Sequence, residues 1–358
     1  MNQLAVGVPS APCGRMKAAV VHSHGLPSVF VFDANTQPPA LSADQVLVRI
    51  KATSVNPADA KQRSGNLRLV LKHTFPLILG QDFAGTVEAV GARCRRFAVG
   101  DQVYGSTAPR NGCSAELVAV FERECCPKPK SLSWLVAAAT PTVAATAYKG
   151  IVTLGNAASG QRVLIHGAAG GVGSAAAQIA LARGCHVTGT CSEHNAGYVT
   201  SLGCRAVRYE GVAFDREMAG GAGSFDLVFD AVGGEEQYVR SLPLMHTGGR
   251  YVSAVGPVLH GGSEPITVRT IAWTASVLVP RMIRNLWARV KYTLYLSFEV
   301  EDLACDELRG YIESSRLRVR VDPAHYTLET IGAAHTKIET GHSEGKLVVQ
   351  VDEAACAL

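Results

Sequence analysis

The chain has 358 residues, enough for two domains of ordinary size that each bury a hydrophobic core. Apolar residues make up 47% of it and charged residues 18%, a composition that excludes a disordered chain and a coiled coil. The 34 Lys and Arg against 30 Asp and Glu leave a net charge of +4 without a long basic run, so no nucleic-acid partner is expected.

The first fifteen residues, MNQLAVGVPSAPCGR, contain one Arg and no acidic residue. This pattern suits either a short targeting presequence or a disordered tail, and both interpretations stay open. We expect residues 1–15 to form a flexible extension, and the location of the protein to be mitochondrial or cytoplasmic.

From residue 16 to about 130, short β-rich runs alternate with Gly and Pro, which predicts a β-rich unit with few helices. From about 137 the pattern changes to alternating strands and helices. The strands are predicted at 162–165, 185–190, 226–230 and 250–254, and the helices at 171–183 and 195–202. This alternation is typical of a parallel sheet with right-handed crossovers.

After about residue 300 the predicted elements become short again. They are a helix at 302–314, a strand at 318–321, a helix at 328–339 and a strand at 346–351. We expect this tail to rejoin the β-rich unit.

Ten cysteines occur without a single C-x-x-C pair. A structural zinc site needs closely spaced thiolates that can close a tetrahedron, and this spacing does not offer them. In a chain of this size without a secretory segment, buried free thiols are expected rather than disulfides.

The strongest local signal is the run Val163-Leu-Ile-His-Gly-Ala-Ala-Gly-Gly-Val-Gly173, where a β-rich stretch leads through glycines into an Ala-rich helix. Ala168 stands where the common template begins with Gly. Small residues permit the tight turn, and the helix N-terminus offers amide donors to a pyrophosphate. The predicted dinucleotide-binding residues here are Gly167, Ala169, Gly170, Gly171, Val172 and Gly173.

The end of the next strand selects between the two nicotinamide dinucleotides. NAD-binding proteins usually place Asp or Glu there to hold the ribose 2′-hydroxyl, whereas this chain has Ser192. A hydroxyl suits a 2′-phosphate, and Asn195 and Tyr209 could add donors, so NADPH is the expected cofactor. The alternative is that Glu193 holds the ribose and the cofactor is NAD.

A further strand ends in Asp230-Ala-Val-Gly-Gly234, where small residues follow the carboxyl edge. Ligands of parallel sheets lie beyond the carboxyl ends of the strands, so Val232 is predicted to contact the cofactor. Asp230 is interpreted as a turn cap and not as a catalytic residue.

Several motifs in the same order resemble one superfamily, the medium-chain dehydrogenases/reductases, and within it the quinone oxidoreductase branch. They span about 16–352 and include 54–65, 80–91, 97–105 and 141–148. Within the branch, 287–346 looks most similar to the mitochondrial reticulon-interacting NADPH oxidoreductases. The resemblance implies a GroES-like β-rich catalytic domain, formed by 16–137 and 300–352, into which a Rossmann doubly wound NADPH-binding domain at 138–299 is inserted. It also implies a homodimer.

The resemblance bears on metal binding. Zinc-dependent members keep a Cys where this chain has Asn56 and a His-Glu pair where it has Gln81-Asp82. Two of the three ligand positions of a catalytic zinc are thus altered, and no metal is expected.

Without a Lewis acid, the implied reaction is hydride transfer from NADPH to a quinone or to an activated double bond of an α,β-unsaturated carbonyl compound. The implied catalytic residues are Asn56, which donates to the developing enolate or orders the nicotinamide, and Lys61, where related reductases often carry Tyr. Thr146 and Lys346 are implied cofactor neighbours. Two alternatives stay open: an enone or alkenal reductase with little quinone activity, and a cofactor-binding adaptor protein.

The segment 271–298 combines aromatic residues with basic ones, including Trp273, Arg281, Arg284 and Trp287. A packed helix interrupted at Pro280, a substrate lid and a contact with a membrane surface are alternative interpretations.

Overall fold

The computed structural model describes residues 14–210, 214–218, 223–257, 265–285, 287–295, 303 and 305–352. Most of the expected N-terminal extension therefore lies outside the described residues, as do Cys13, Cys356 and the start of the helix predicted at 302–314. Two compact units are found, Met1–Thr142 with Phe298–Cys305 and Arg320–Leu358, and Val143–Ser297 with Asp306–Val319.

The strands follow the chain in this order: β1 (Met16–Val21), β2 (Phe30–Thr36), β3 (Gln45–Val55), β4 (Leu77–Ile78), β5 (Asp82–Val90), β6 (Gln102–Ser106), β7 (Leu117–Phe121), β8 (Cys125–Pro127), β9 (Arg162–His166), β10 (His186–Cys191), β11 (Arg205–Arg208), β12 (Phe225–Asp230), β13 (Met245–Ser253), β14 (Lys291–Leu294), β15 (Tyr326–Thr327) and β16 (Leu347–Gln350).

The α-helices are α1 (Pro57–Ser64), α2 (Trp134–Ala139), α3 (Pro141–Tyr148), α4 (Gly171–Ala182), α5 (Ala196–Ser201), α6 (Phe214–Glu217), α7 (Glu235–Ser241), α8 (Val268–Arg284), α9 (Asp306–Glu313) and α10 (Ile331–Glu339). A π-helical turn at Lys149–Leu154 directly continues α3.

The first unit is built around β3, whose alternating Val, Leu and Ile side chains are buried. This strand pairs antiparallel with β5, β7 and β16, and the larger sheet has the order β15-β16-β3-β5-β6-β8. A smaller sheet has the order β2-β1-β4. Because β16 pairs directly with β3, the prediction that the tail rejoins the β-rich unit is confirmed for the last strand.

The second unit contains a parallel sheet in the order β11-β10-β9-β12-β13-β14. The order reverses between β9 and β12, which are neighbours although two strands separate them in sequence. Such a reversal opens the crevice in which doubly wound sheets bind ligands. The predicted Rossmann architecture is confirmed.

The structure differs from the predicted elements in the tail. The predicted strand at 318–321 is wrong, because only an isolated bridge between Val321 and Lys346 forms there. The segment Asp306–Val319 packs with the second unit, where Glu307 accepts a 2.8 Å hydrogen bond from the Tyr148 hydroxyl and pairs with Arg183. These contacts, rather than the local pattern, decide where the segment belongs.

Helix α8 also differs from expectation, since it continues through Pro280 to Arg284. A proline removes one backbone hydrogen bond, but the packing of neighbouring residues can hold the remaining turns together. Arg281 is buried, ion-paired with Glu235 and lies between the rings of Tyr238 and Tyr292. Arg281 therefore cannot touch a membrane, which corrects one of the contacts considered from sequence.

The described cysteines with free thiols are Cys94, Cys113, Cys125, Cys126, Cys185, Cys191, Cys204 and Cys305, and all but the last are buried. Burial raises the pKa of the Cys113 and Cys125 thiols, which makes them unreactive at neutral pH. Among the described helices, none combines the length and apolar character needed to cross a bilayer.

Candidate functional site

The first unit contains a buried hydrogen-bonded cluster around the carboxylate of Asp82, at the start of β5. Its Oδ2 atom accepts hydrogen bonds from Ser54 Oγ at 2.9 Å, Asn56 Nδ2 at 2.9 Å and Lys346 Nζ at 3.2 Å. Its Oδ1 atom accepts from the backbone N–H of Thr142 at 3.2 Å and from its hydroxyl at 2.5 Å. Asp82 and Lys346 are 0% and 5% exposed, so this ion pair is shielded from water.

The sheet register brings these side chains together from three parts of the sequence. Ser54 on β3 lies opposite Asp82 on β5 and opposite Val348 on β16. Lys346 immediately precedes β16 and donates to Ser54 Oγ. The antiparallel pairing therefore fixes a carboxylate, a hydroxyl and an ammonium group at one end of β3.

Asn56 directly precedes helix α1 and occupies its N-cap position. Its backbone N–H donates to Asp59 Oδ2 at 2.8 Å, which is half of a capping box. Its side-chain amide donates to Asp82, and the nitrogen of an amide carries two N–H groups. Asn56 is thus held through both its backbone and its side chain.

Asp59 is a member of this cluster that the sequence analysis missed. Burial raises the pKa of its carboxyl to about 7, and the nearby charge of Asp82 acts in the same direction. Within the described residues, Asp59 Oδ1 has no hydrogen-bond partner. The Asn-Pro-x-Asp spacing signalled a helix cap, but only the fold shows that the cap is buried beside a second carboxylate.

Lys61 lies in the last turn of α1 and not in a solvated loop. Burial lowers the pKa of its ammonium group, because a desolvated charge is less stable than a hydrated one. A lysine with a lowered pKa gives up its proton more readily at neutral pH.

In the second unit, β9 leads through a tight glycine turn into α4. Gly167 has φ +75°, a conformation that favours glycine. A Cβ on Gly173 would lie 2.0 Å from the backbone oxygen of Gly167, so the turn and the helix touch backbone to backbone. The first amides of α4, at Gly171, Val172 and Gly173, begin a twelve-residue helix after Gly170. This cradle fits the pyrophosphate of a dinucleotide.

Val232 meets the glycine turn from the loop that follows the neighbouring strand β12. A Cβ on Gly167 would lie 2.9 Å from Val232 Cγ2. Asp230 holds this loop, because its Oδ1 atom accepts from the N–H groups of Val232 at 2.9 Å and Gly233 at 2.8 Å. Its Oδ2 atom accepts from the Tyr251 hydroxyl at 2.9 Å, so Asp230 positions a loop as the sequence indicated.

Ser192 follows β10, and its Oγ accepts a 3.0 Å hydrogen bond from Asn195 Nδ2. The backbone N–H of Tyr209 donates to Cys191 at 3.2 Å, which brings the half-exposed Tyr209 to the same edge. Glu193, the alternative ribose ligand, is exposed and ion-paired with Arg208. The structure thus places Ser192, Asn195 and Tyr209 at the same edge of the sheet.

Thr146 is buried in α3, and its carbonyl accepts a 2.5 Å hydrogen bond from the Tyr295 hydroxyl. It belongs to the second unit, as do the glycine turn, Ala169, Val232 and the residues beside Ser192. Asn56, Lys61 and Lys346 belong to the first unit.

His166, the last residue of β9, is fully buried beside the glycine turn. Its Nε2 lies 2.9 Å from Ser241 Oγ, and its Nδ1 lies 2.7 Å from Gln237 Nε2. Since the Ser241 hydroxyl donates to Gln237 and the amide Nε2 is a donor, neutral His166 with a proton on Nε2 satisfies both of these partners. Burial lowers its pKa from 6.5 to about 4.

This pKa predicts a specific loss of stability in acid. Between pH 6.5 and about 4 the unfolded chain binds a proton at this site that the folded chain does not, so the free energy of unfolding falls across that window. The full shift amounts to roughly 3 kcal/mol. Denaturant unfolding of wild type and His166→Gln from pH 7 to pH 4 measures this loss. The free energy of unfolding of the variant should depend less on pH across that window. His186→Gln, at an exposed position, is the matched control, and an equal change in both variants would contradict the assignment.

Known protein families match both parts of the chain. Residues 42–130 match the alcohol dehydrogenase GroES-like domain, and residues 204–349 match the zinc-binding dehydrogenase family. The mitochondrial NAD(P)H oxidoreductase RTN4IP1 of Danio rerio is 32% identical over 359 residues, covering 94% of this chain and 92% of the relative. The 2-methylene-furan-3-one reductase of Solanum lycopersicum is 30% identical over 355 residues, with 96% and 80% covered. The structure of the quinone oxidoreductase from Coxiella burnetii superposes with a TM-score of 0.77 at 29% identity and covers 94% of this chain and 99% of that chain.

The chain belongs to the medium-chain dehydrogenase/reductase superfamily. It is an oxidoreductase that uses a nicotinamide cofactor, and the predicted GroES-like and Rossmann-type domains are both confirmed.

The zinc in the description of this superfamily does not fit the residues present. Among the described residues, no group of three or more His, Cys, Asp and Glu side chains is arranged to hold a metal ion. Asn56 and Asp82 stand where zinc-dependent members carry ligands. The Asn56 amide donates to Asp82, and the Asp82 carboxylate already accepts hydrogen bonds from several donors.

Proposed function

We propose that the protein reduces quinones or activated carbon–carbon double bonds with NADPH and without zinc. The observation that carries this proposal is the buried cluster around Asp82, where the amide of Asn56 and the ammonium group of Lys346 both donate to the carboxylate. Donors of this kind stabilise an oxygen that gains negative charge, but they do not activate an alcohol as a Lewis acid does. The relatives named as a quinone oxidoreductase and as a furanone reductase support the same acceptor chemistry.

The chain's own residues have separate tasks in this reaction. A bound NADPH supplies the hydride, which is delivered to a carbon of the acceptor. We assign to Asn56 the donation of its second amide N–H to the acceptor oxygen that becomes negative. Lys61 then donates the proton that completes the reduction, and its lowered pKa favours this donation.

For the cofactor, we propose that Ser192, Asn195 and Tyr209 receive the 2′-phosphate of NADPH, and that Thr146, Val232 and Lys346 contact the rest of the molecule. Gly167, Ala169, Gly170 and the first amides of α4 hold the pyrophosphate. Glu193 is engaged by Arg208, which supports NADPH over NADH. We also propose a homodimer, in line with the family resemblance.

Ser192→Asp is expected to weaken NADPH binding at least tenfold relative to NADH, because a carboxylate would repel the 2′-phosphate. Fluorescence titration of both cofactors measures the two dissociation constants. Thr200→Asp adds the same charge at an exposed position of α5 and should leave their ratio unchanged. An equal loss for NADPH and NADH would show that the phosphate site is misplaced.

The activity is tested by the initial rate of NADPH oxidation with a chelator present, first with an ortho-quinone and then with an α,β-unsaturated ketone. We expect turnover that the chelator does not reduce. Activity with the ketone alone identifies an enone reductase, the second candidate. Binding of NADPH without oxidation by either acceptor would overturn the proposed acceptor chemistry.

A further inference from the structure

Helix α8 has two apolar sides, and one of them packs against the core of the second unit while the other is exposed. Arg281 is buried on the inner side, and Leu278 packs against the core of the second unit. The outer side carries large apolar side chains that are exposed, and Trp287 follows just beyond the helix. These residues, called the α8 face below, are Val268, Ile271, Val279, Met282, Ile283 and Trp287.

The spacing of these residues makes the α8 face continuous. Val268, Ile271, Val279 and Met282 are separated by 3, 8 and 3 residues, so they line one side of a helix with 3.6 residues per turn. Exposure is far above that of a core residue: 75% for Val268, 67% for Met282 and 78% for Trp287. Large exposed apolar surfaces of this kind mark a docking site.

The charge around the α8 face decides what it docks to. From residue 265 to residue 298 the sequence contains no Asp or Glu, and Arg269, Arg289 and Lys291 are exposed. A second copy of this chain would bring two basic faces against each other. An occupant that is apolar inside and negatively charged outside complements the face in both respects.

We propose that the α8 face docks onto the surface of a lipid bilayer that contains anionic headgroups. A helix of this length, roughly 25 Å, can lie in the plane of the interface with its apolar side among the acyl chains. Trp287 then lies at headgroup level, where indole rings are enriched, and the cations meet the lipid phosphates. The proposal is independent of the reaction proposed above.

Flotation of the full chain with vesicles tests the proposal. The probes are vesicles of phosphatidylcholine alone and vesicles that also contain phosphatidylserine. We expect binding to the anionic vesicles to be at least tenfold stronger. Substituting Arg269, Arg289 and Lys291 with Gln should weaken it on the order of a hundredfold, since each cation near such a surface contributes roughly fivefold.

The apolar contribution is tested with the double variant Ile271→Asp and Met282→Asp, which should abolish flotation. Val99→Asp is the matched control, because Val99 is 68% exposed in the first unit and outside the α8 face. NADPH binding measured on each variant shows that its second unit is folded.

Three results would overturn the proposal. They are equal binding to neutral and anionic vesicles, flotation that survives the double Asp variant, and no flotation of wild type. If wild type does not float and sedimentation shows a dimer that the double variant loses, the α8 face is instead an interface between two copies.

Discussion

Replacing Lys346 with Met is expected to lower the free energy of unfolding by about 3–5 kcal/mol, because it leaves the Asp82 carboxylate buried without its cation. The expected loss is large because both groups are shielded from water, so hydration cannot stabilise the Asp82 charge once its partner is removed. We also expect turnover to fall, because Asp82 orients the Asn56 amide. Denaturant unfolding followed by circular dichroism measures the first effect, and NADPH oxidation the second.

Two further variants distinguish loss of the pair from loss of a side chain. Adding Asp82→Asn to Lys346→Met removes the uncompensated charge and should restore part of the stability. Lys337→Met is the matched control, because Lys337 pairs with the buried Asp322 at 2.9 Å but is itself 33% exposed. Lys337→Met should lower the free energy of unfolding clearly less, since water reaches the pair and backbone N–H groups also donate to Asp322. Equal losses at the two lysines would contradict the role given to burial.

Replacing Gly173 with Ala is expected to cost about 3 kcal/mol of stability and to weaken NADPH binding at least a hundredfold. The new Cβ would lie 2.0 Å from the backbone oxygen of Gly167 and 2.7 Å from its carbonyl carbon. Because both neighbours are backbone atoms, the turn and α4 must separate, and the cradle for the pyrophosphate opens. Thermal unfolding and cofactor titration measure the two effects.

Gly197→Ala is the control for this substitution. Gly197 lies in α5, and a Cβ there has no atom of the described residues within 4 Å. Replacing a helical glycine by alanine stabilises by about 0.5–1 kcal/mol, so this variant should be equally or more stable and bind NADPH as wild type does. A wild-type affinity for Gly173→Ala would show that the cradle does not hold the cofactor.

The nucleotide-binding half was predictable because its signals are local. A β-rich run, a glycine turn and an Ala-rich helix follow one another within twenty residues, and 162–182 folds as that order indicates. The strand predicted at 318–321 failed for the opposite reason. Its alternating Arg and Val satisfy the period of a strand, but a strand also needs a continuous partner, and an isolated bridge between Val321 and Lys346 is what forms there.

The cluster around Asp82 was only partly predictable. Asn56 and Lys346 were found through their motifs, but the ion pair joins residues 264 positions apart, which no local pattern encodes. Asp59 was missed because its role follows from burial, and the structure selects a packed helix over a membrane contact for Arg281, whose burial is unusual for a basic residue. In each case the sequence reports the residue type and the fold determines its surroundings.

The pairing of β16 with β3 has a consequence for synthesis on the ribosome. Val55 leaves the ribosome early, yet its partner Leu347 is added roughly 300 residues later, which takes on the order of 15–60 s at usual elongation rates. Until then the end of β3 at Ala52–Val55 is without this neighbour, whereas β7, which pairs with Gln45–Arg49, and every strand of the parallel sheet are made earlier. The nucleotide-binding unit can thus fold first, and the nascent first unit presents a short open strand edge until β16 emerges.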